Sequence, residues 1–217
     1  MRIYNLIFLA VILLFAACTN APEGKAVEAG EAAEVTEVAG NVDTLSVDLD
    51  QSSIHWVGTE PGDEGHNGSI NIKSGYLLVG DETVKGGEFV IDMTSINVMD
   101  LEGEYKGKLE GHLKTGDFFE VEKFPEAVFT ITSTSVEDQD SVYTSLITGN
   151  LTMKDETKAI EIPAKISLKD GGVTAETPQF TIDRTQWGIV FKSGIIGTVK
   201  DQLIDDQIGL QINLAAK

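Results

Sequence analysis

The chain has 217 residues, 35 acidic against 16 basic, and a net charge of −19. So negative a surface repels nucleic acid and anionic headgroups, which excludes both as electrostatic partners. A single cysteine, Cys18, leaves no intramolecular disulfide to form, so the core must hold the fold together.

Residues 1–17 begin with Arg2 and continue as an uncharged apolar run, "LIFLAVILLFAAC" in the sequence, that ends at Cys18. The run is too short for a mature membrane span, which needs about 20 residues, and it has the layout of a secretory signal. "FAAC" resembles the lipobox of bacterial lipoproteins. The resemblance implies cleavage before Cys18, acylation of that residue and attachment to a membrane through it. With Arg2 removed, 15 basic and 35 acidic residues leave −20, so attachment rests on covalent lipid and not on charge. Thr19 follows with no acidic cluster, which favours a periplasm-facing lipoprotein of the bacterial envelope, in the outer membrane in preference to the inner.

Residues 18–44 contain no aromatic residue, and Glu28, Glu31, Glu34 and Glu37 recur at a spacing that would set like charges side by side on a helix. They read as a disordered acidic tether with a reach of about 30 Å.

Residues 45–217 fit one domain with apolar residues mostly at period two. Ile54 and Trp56 alternate first, then Ile70 and Ile72, then Phe89, Ile91 and Met93. Later come Phe129 and Ile131, Ile160 and Ile162, Phe180 and Ile182, and Leu210 and Ile212. Turn signals such as "VGDE", "KDET" and "KDGG" separate the runs. Between them Leu101, Tyr105, Leu109 and Leu113 fall every fourth position, which predicts one short helix, weakened by Gly103, Gly107 and Gly111. Many half-apolar strands at short spacing predict an all-β protein whose antiparallel sheet packs on another or closes on itself.

No catalytic constellation is visible. His55, His66 and His112 are too scattered for a zinc site, no G-x-S-x-G turn offers a nucleophile, and the glycine pairs lack a following phosphate-binding helix. The sequence calls for no metal and no cofactor, and nothing in it requires an enzyme.

One stretch, "GHLKTGDFFEVEKFPEAVFTI" at 111–131, closely resembles a segment of YceI-like proteins. Further matches follow that family's order: "GHNGSI" at 65–70, "GGEFVIDMTSI" at 86–96, "ITGNLTMKDETKAIEIPAKI" at 147–166 and "FTIDRTQWGI" at 180–189. The resemblance implies an extended, eight-stranded, lipocalin-like antiparallel barrel with one short helix alongside. It also implies an elongated apolar cavity that in some members holds an isoprenoid chain, such as a polyprenyl quinone tail.

An eight-stranded barrel can be filled by its own side chains or hold one small ligand, so the inward residues decide. The residues chosen as ligand contacts are Phe89, Ile91, Met93, Phe118, Phe119, Phe129, Ile131, Ile162, Phe180, Ile182, Arg184 and Trp187, with Phe124 as a further wall or end-closing residue. Taken singly, each apolar one is more simply explained as plain core, since every sheet needs apolar alternation, and it is the family resemblance that favours a cavity. Asp183 and Arg184 should face opposite sides of a strand, leaving Arg184 to pair with a distant carboxylate at a barrel end or with a polar ligand head. Two functions follow: binding, storage or transport of an amphiphilic lipid such as an isoprenoid, or an envelope interaction lipoprotein with a filled barrel. A homodimer is left open.

Overall fold

The computed structural model describes residues 21–62, 65–136, 142–199 and 202–217; the expected signal segment and Cys18 lie outside them. The described residues form strands β1 (Lys25–Val27), β2 (Gly30–Glu31), β3 (Asp43–Ser46), β4 (Ser53–Gly58), β5 (His66–Gly80) and β6 (Thr83–Val98), then helix α1 (Gly103–Leu113). They continue with β7 (Glu126–Val136), β8 (Ser145–Met153), β9 (Glu156–Lys169), β10 (Gly172–Glu176), β11 (Phe180–Asp183) and β12 (Gln207–Ala216).

Eight of these close a ring. The order runs β4-β5-β6-β7-β8-β9-β10-β12 and returns to β4, every neighbour antiparallel. Where β10 stops, β11 continues the same wall, pairing Phe180–Asp183 with Leu210–Gln207. Closure removes the open edge, the usual liability of an antiparallel sheet, except where β9 and β11 part beyond β10, and there β1 and β2 take up the free margins.

Period-two patterning sets the inside. On β6, Phe89, Ile91 and Met93 are buried, and on β9, Ile160 and Ile162 are buried, as the alternation predicts. The turns are as legible. Asp81 and Glu82 (φ 50° and 57°), Lys154 and Asp155 (48° and 63°), and Asp170 and Gly171 (52° and 78°) link consecutive strands with both central residues at positive φ, as a type I′ hairpin requires.

The predicted helix is present and sits at the end of the barrel where β6 gives way to β7. Val98 N–H donates to Glu110 Oε1 at 2.9 Å and Lys106 Nζ to Asn97 Oδ1 at 2.8 Å, tying α1 to β6. Its stripe is only half used, because Leu109 and Leu113 turn toward the barrel interior while Tyr105 stays 73% exposed.

The expected disordered tether is not what the described part of it shows. From Pro22 to Val47 the chain is a strap laid around the barrel. β1 pairs in parallel with β11, β2 pairs with Lys158 and Ala159 of β9, and β3 pairs with Tyr76–Val79 of β5. Between β2 and β3 the Ala33 backbone and the Asn150 side-chain amide exchange two hydrogen bonds, 2.9 and 2.8 Å. Farther along, Ser46 and Lys217 exchange a pair of 2.9 Å backbone bonds, filling the gap between β5 and β12 below β4. Only Pro22, Val27 and Val47 bury fully, while Glu28, Glu31, Glu34 and Glu37 stay exposed. A segment held by main-chain pairing carries no apolar stripe, and an extended path escapes the like-charge penalty that a helix would suffer.

Close approach explains two glycines on the outer face. A Cβ on Gly209 would come within 3.0 Å of Pro22 Cβ, and one on Gly86 within 3.0 Å of Val38 Cγ2. The strap lies where the barrel offers it room.

Candidate ligand cavity

The inward faces do not fill the barrel. They enclose an apolar cavity of about 360 Å³, within the range of small-molecule sites. Every strand of the ring contributes, from Ile54 and Trp56 on β4 to Leu210 and Ile212 on β12. Toward the β5–β6 and β9–β10 hairpins the wall is closed by Leu77, Val84 and Val173, each 4% exposed or less. At the opposite end it is met by Leu109 and Leu113 of α1 and by Phe118 and Phe119.

Eleven of the twelve residues chosen from sequence line this space: Phe89, Ile91, Met93, Phe118, Phe119, Phe129, Ile131, Ile162, Phe180, Ile182 and Arg184. Trp187 does not, and this corrects its expected place. The strand ends at Asp183, whose carboxylate accepts from Thr185 N–H at 2.9 Å and caps a single 3-10 turn over Arg184–Trp187. The turn carries the indole out of the cavity wall into the packed core, fully buried, where Nε1 donates to Leu151 O at 3.0 Å. Phe124 also stands away from the cavity, with Lys123 Nζ 4.5 Å from its ring centroid.

The wall has members that the sequence reading passed over. Ile147, Leu151 and Met153 of β8 alternate inward, but Gly149 interrupts the pattern. The interruption has a cause: a Cβ at Gly149 would lie 2.4 Å from Cζ of Phe129, so the phenyl ring takes the place of the missing side chain. Phe129 in turn stacks on Phe89 across β6 and β7, centroids 6.5 Å apart.

Polar groups gather at the α1 end. Arg184, 1% exposed, donates from Nε to Asp205 O (3.0 Å), from Nη1 to Ile189 O (2.8 Å), and from Nη2 to Ile204 O (3.1 Å) and Asp206 Oδ1 (3.2 Å). Burial pushes its guanidinium below the ordinary value, against the pull of Asp206, Asp183 and Asp205, and it stays charged. Nearby, His66 Nδ1 meets Asp100 Oδ2 at 2.7 Å, and Asp100 Oδ1 accepts from Asn67 N–H at 2.9 Å. Burial pushes the Asp100 carboxyl up, but the bonds from His66 and Asn67 outweigh it and hold the group below the usual carboxylate range. His55 stands off the cavity wall, as its alternation with Ile54 and Trp56 predicts, and His112 pairs with Asp117 at 2.9 Å. Among the described residues no cluster of three or more His, Cys, Asp or Glu could hold a metal, and no helix is long and apolar enough to cross a membrane.

A closed antiparallel barrel around an apolar hollow, polar only at one end, is the architecture of the cavity-enclosing β-barrels. The chain belongs to the YceI-like family, whose domain matches residues 45–216. A UPF0312 protein of Shewanella sp. strain MR-4 is 28% identical over 166 residues, covering 70% of this chain and 78% of the relative. Among solved structures, BcnA of Burkholderia cenocepacia superposes with a TM-score of 0.59 at 16% identity, over 79% of this chain and 99% of that one. A polyisoprenoid binding domain from Saccharophagus degradans, implicated in plant cell wall breakdown, gives 0.59 at 12% identity over 80% and 97%. At these identities the likeness establishes the fold.

Proposed function

We propose that the barrel binds and carries one amphiphilic lipid, an isoprenoid chain of the polyprenyl quinone or polyprenol kind, with its tail in the cavity. The observation that carries this reading is the cavity of about 360 Å³ walled by aliphatic and aromatic side chains, open to polar contacts only at the α1 end. Burying about ten methylene-sized groups there contributes about 8 kcal/mol before the costs of ordering the chain, which leaves moderate affinity. The likeness to a polyisoprenoid binding domain agrees in kind. Organic extraction of the protein purified from a bacterial host, followed by mass spectrometry, is expected to yield stoichiometric long-chain lipid. Repeated empty extracts from intact, folded protein would overturn the reading.

The site of action follows from the amino terminus. Acylated Cys18 holds the barrel at the outer membrane, facing the periplasm, where a lipid in transit between membranes needs cover from water. Because the strap is seated on the barrel from Pro22 onward, the four peptide units from Cys18 to Pro22 span at most about 14 Å. The barrel therefore works close to the bilayer and not on a 30 Å leash (about, for a free coil). Cys18→Ser is expected to move the protein from the membrane fraction to the soluble fraction of the cell, and an unchanged distribution would refute the anchor.

A second reading, an envelope lipoprotein acting through its outer surface, keeps one specific observation. Ile195, Ile196 and Val199 are 66%, 58% and 59% exposed on one loop. That loop is rooted at the cavity end, Phe191 touching Phe118 with centroids 5.3 Å apart. Empty extracts would transfer the weight of the argument to this patch.

A further inference from the structure

Accepting the lipid-carrier reading and its anchor at Cys18, on which this rests, we propose that the turn at Ser193–Gly197 docks the barrel on the bilayer. Its apolar tip enters the lipid surface beside the cavity end, and the ligand passes between cavity and membrane there. The segment between β11 and β12 has two sides. Arg184, Ile204 and Asp205 line the cavity, and Phe191 packs on the wall residue Phe118. On the other side Ile195, Ile196 and Val199 are each more than half exposed. The tip is a built shape. Ser193, itself fully buried, accepts from Ile195 N–H at 3.2 Å, and Gly197, at φ 79°, closes the turn with its N–H on Gly194 O at 3.1 Å. Ile204 N–H on Lys192 O, 2.9 Å, ties the two arms of the loop together. A fixed turn that holds branched apolar side chains out in water marks an interaction surface.

Position and charge both name the bilayer as the occupant. The segment springs from the ends of β11 and β12, and the strap begins on the same two strands, with Pro22 against Gly209, the partner of Thr181. Gly209 is two positions from Gln207 at the cavity end of β12 and seven from Ala216 at the far end. At about 3.4 Å per position these are about 7 and 24 Å along the strand. The reach of about 14 Å from Pro22 to Cys18 covers the first distance and not the second, so the acyl chains enter the membrane on the side of the tip. The chain has 35 acidic residues, yet from Thr185 to Val199 there is none, and Lys192 carries the one charge. Lys192 Nζ stands 5.9 Å from the Phe191 ring centroid, an apolar stem with a charged head, as suits the boundary between lipid and water. Neighbouring loops at this end carry Glu60 and Asp100, Glu102 and Glu104, so docking rests on apolar insertion and suits zwitterionic lipid.

The acylated protein is placed on phosphatidylcholine vesicles that contain a brominated lipid, with an environment-sensitive dye on Ile196→Cys or on Val136→Cys. Val136, 66% exposed at the far end of β7, is the control. Cys18, the sole native cysteine, is blocked by its own acyl groups. The dye at position 196 is expected to shift to the blue and be quenched by the bromine, and the dye at 136 to do neither. In a second assay a fluorescent polyprenol is loaded into the protein and its passage to acceptor vesicles is timed. Ile195→Asp is expected to slow that passage about tenfold and to leave retention of the polyprenol without vesicles unchanged, since the tip lies outside the cavity. An unquenched dye at 196, as when the tip serves a protein partner, would overturn the proposal. So would equal quenching at 136 and 196, or passage unaltered by Ile195→Asp. A parent that retains no polyprenol overturns the carrier reading, whereas polyprenol retained beside an unquenched tip overturns the docking alone.

Discussion

Arg184→Met is expected to lower the melting temperature by about 10 °C, the largest single effect on stability that the cavity end offers. The guanidinium is 1% exposed and joins Asp206 to three backbone carbonyls on two separate turns of the 188–206 segment. Methionine fills most of the volume but satisfies none of these acceptors. Asp206, 27% exposed, can turn to water, but three backbone carbonyls lose a charged donor at once, so the cost is about 3–5 kcal/mol. In a domain of this size each kcal/mol moves melting by about 2–4 °C. The diagnostic is the order of losses. If Arg184 serves the architecture, melting falls and the remaining folded protein still retains its hydrocarbon at low temperature. Undiminished melting with lost retention would instead make Arg184 a direct holder of the ligand head.

Ala127→Phe is expected to weaken retention of a long-chain lipid tenfold or more while shifting melting by only a few degrees. Ala127, 3% exposed, stands on β7 opposite Ile91 of β6 and faces the hollow. A phenyl group there denies the ligand the room of about three methylenes, worth about 2.4 kcal/mol of burial. Overpacking a dense core costs about 1–3 kcal/mol, but the added ring enters existing space and gains contacts of its own. Titration of a fluorescent fatty analogue into parent and variant checks this. Unchanged affinity would show that the tail lies elsewhere.

The inner surface of the barrel was legible because a strand writes its buried face at every second residue. Phe89, Ile91 and Met93, Phe180 and Ile182, and Ile160 and Ile162 are readable without any structure, and the type I′ turns announce themselves as "VGDE", "KDET" and "KDGG". Closure into a ring with a hollow was not in the alternation, which is the same for a filled barrel; the family likeness supplied it. Trp187 was misplaced because the strand was extended past its end. Asp183, two residues before a threonine whose N–H it accepts, is a cap signal that could have stopped it. The strap was invisible for a different reason. Its hold is main-chain pairing and the reciprocal Ala33–Asn150 bonds, neither of which leaves a hydrophobic signature.

That strap lies mostly outside the residues that define the family domain. A polypeptide trimmed to the shared boundaries would uncover the rows of N–H and C=O groups along β11 and at Lys158 and Ala159 that β1 and β2 now occupy. Such bare margins invite a neighbouring molecule to supply the missing partner. In the full chain, detachment of the strap without its removal opens a route to exchange, in which the leading segment of one copy lies on the barrel of another and two molecules become interlocked without any new contact being invented.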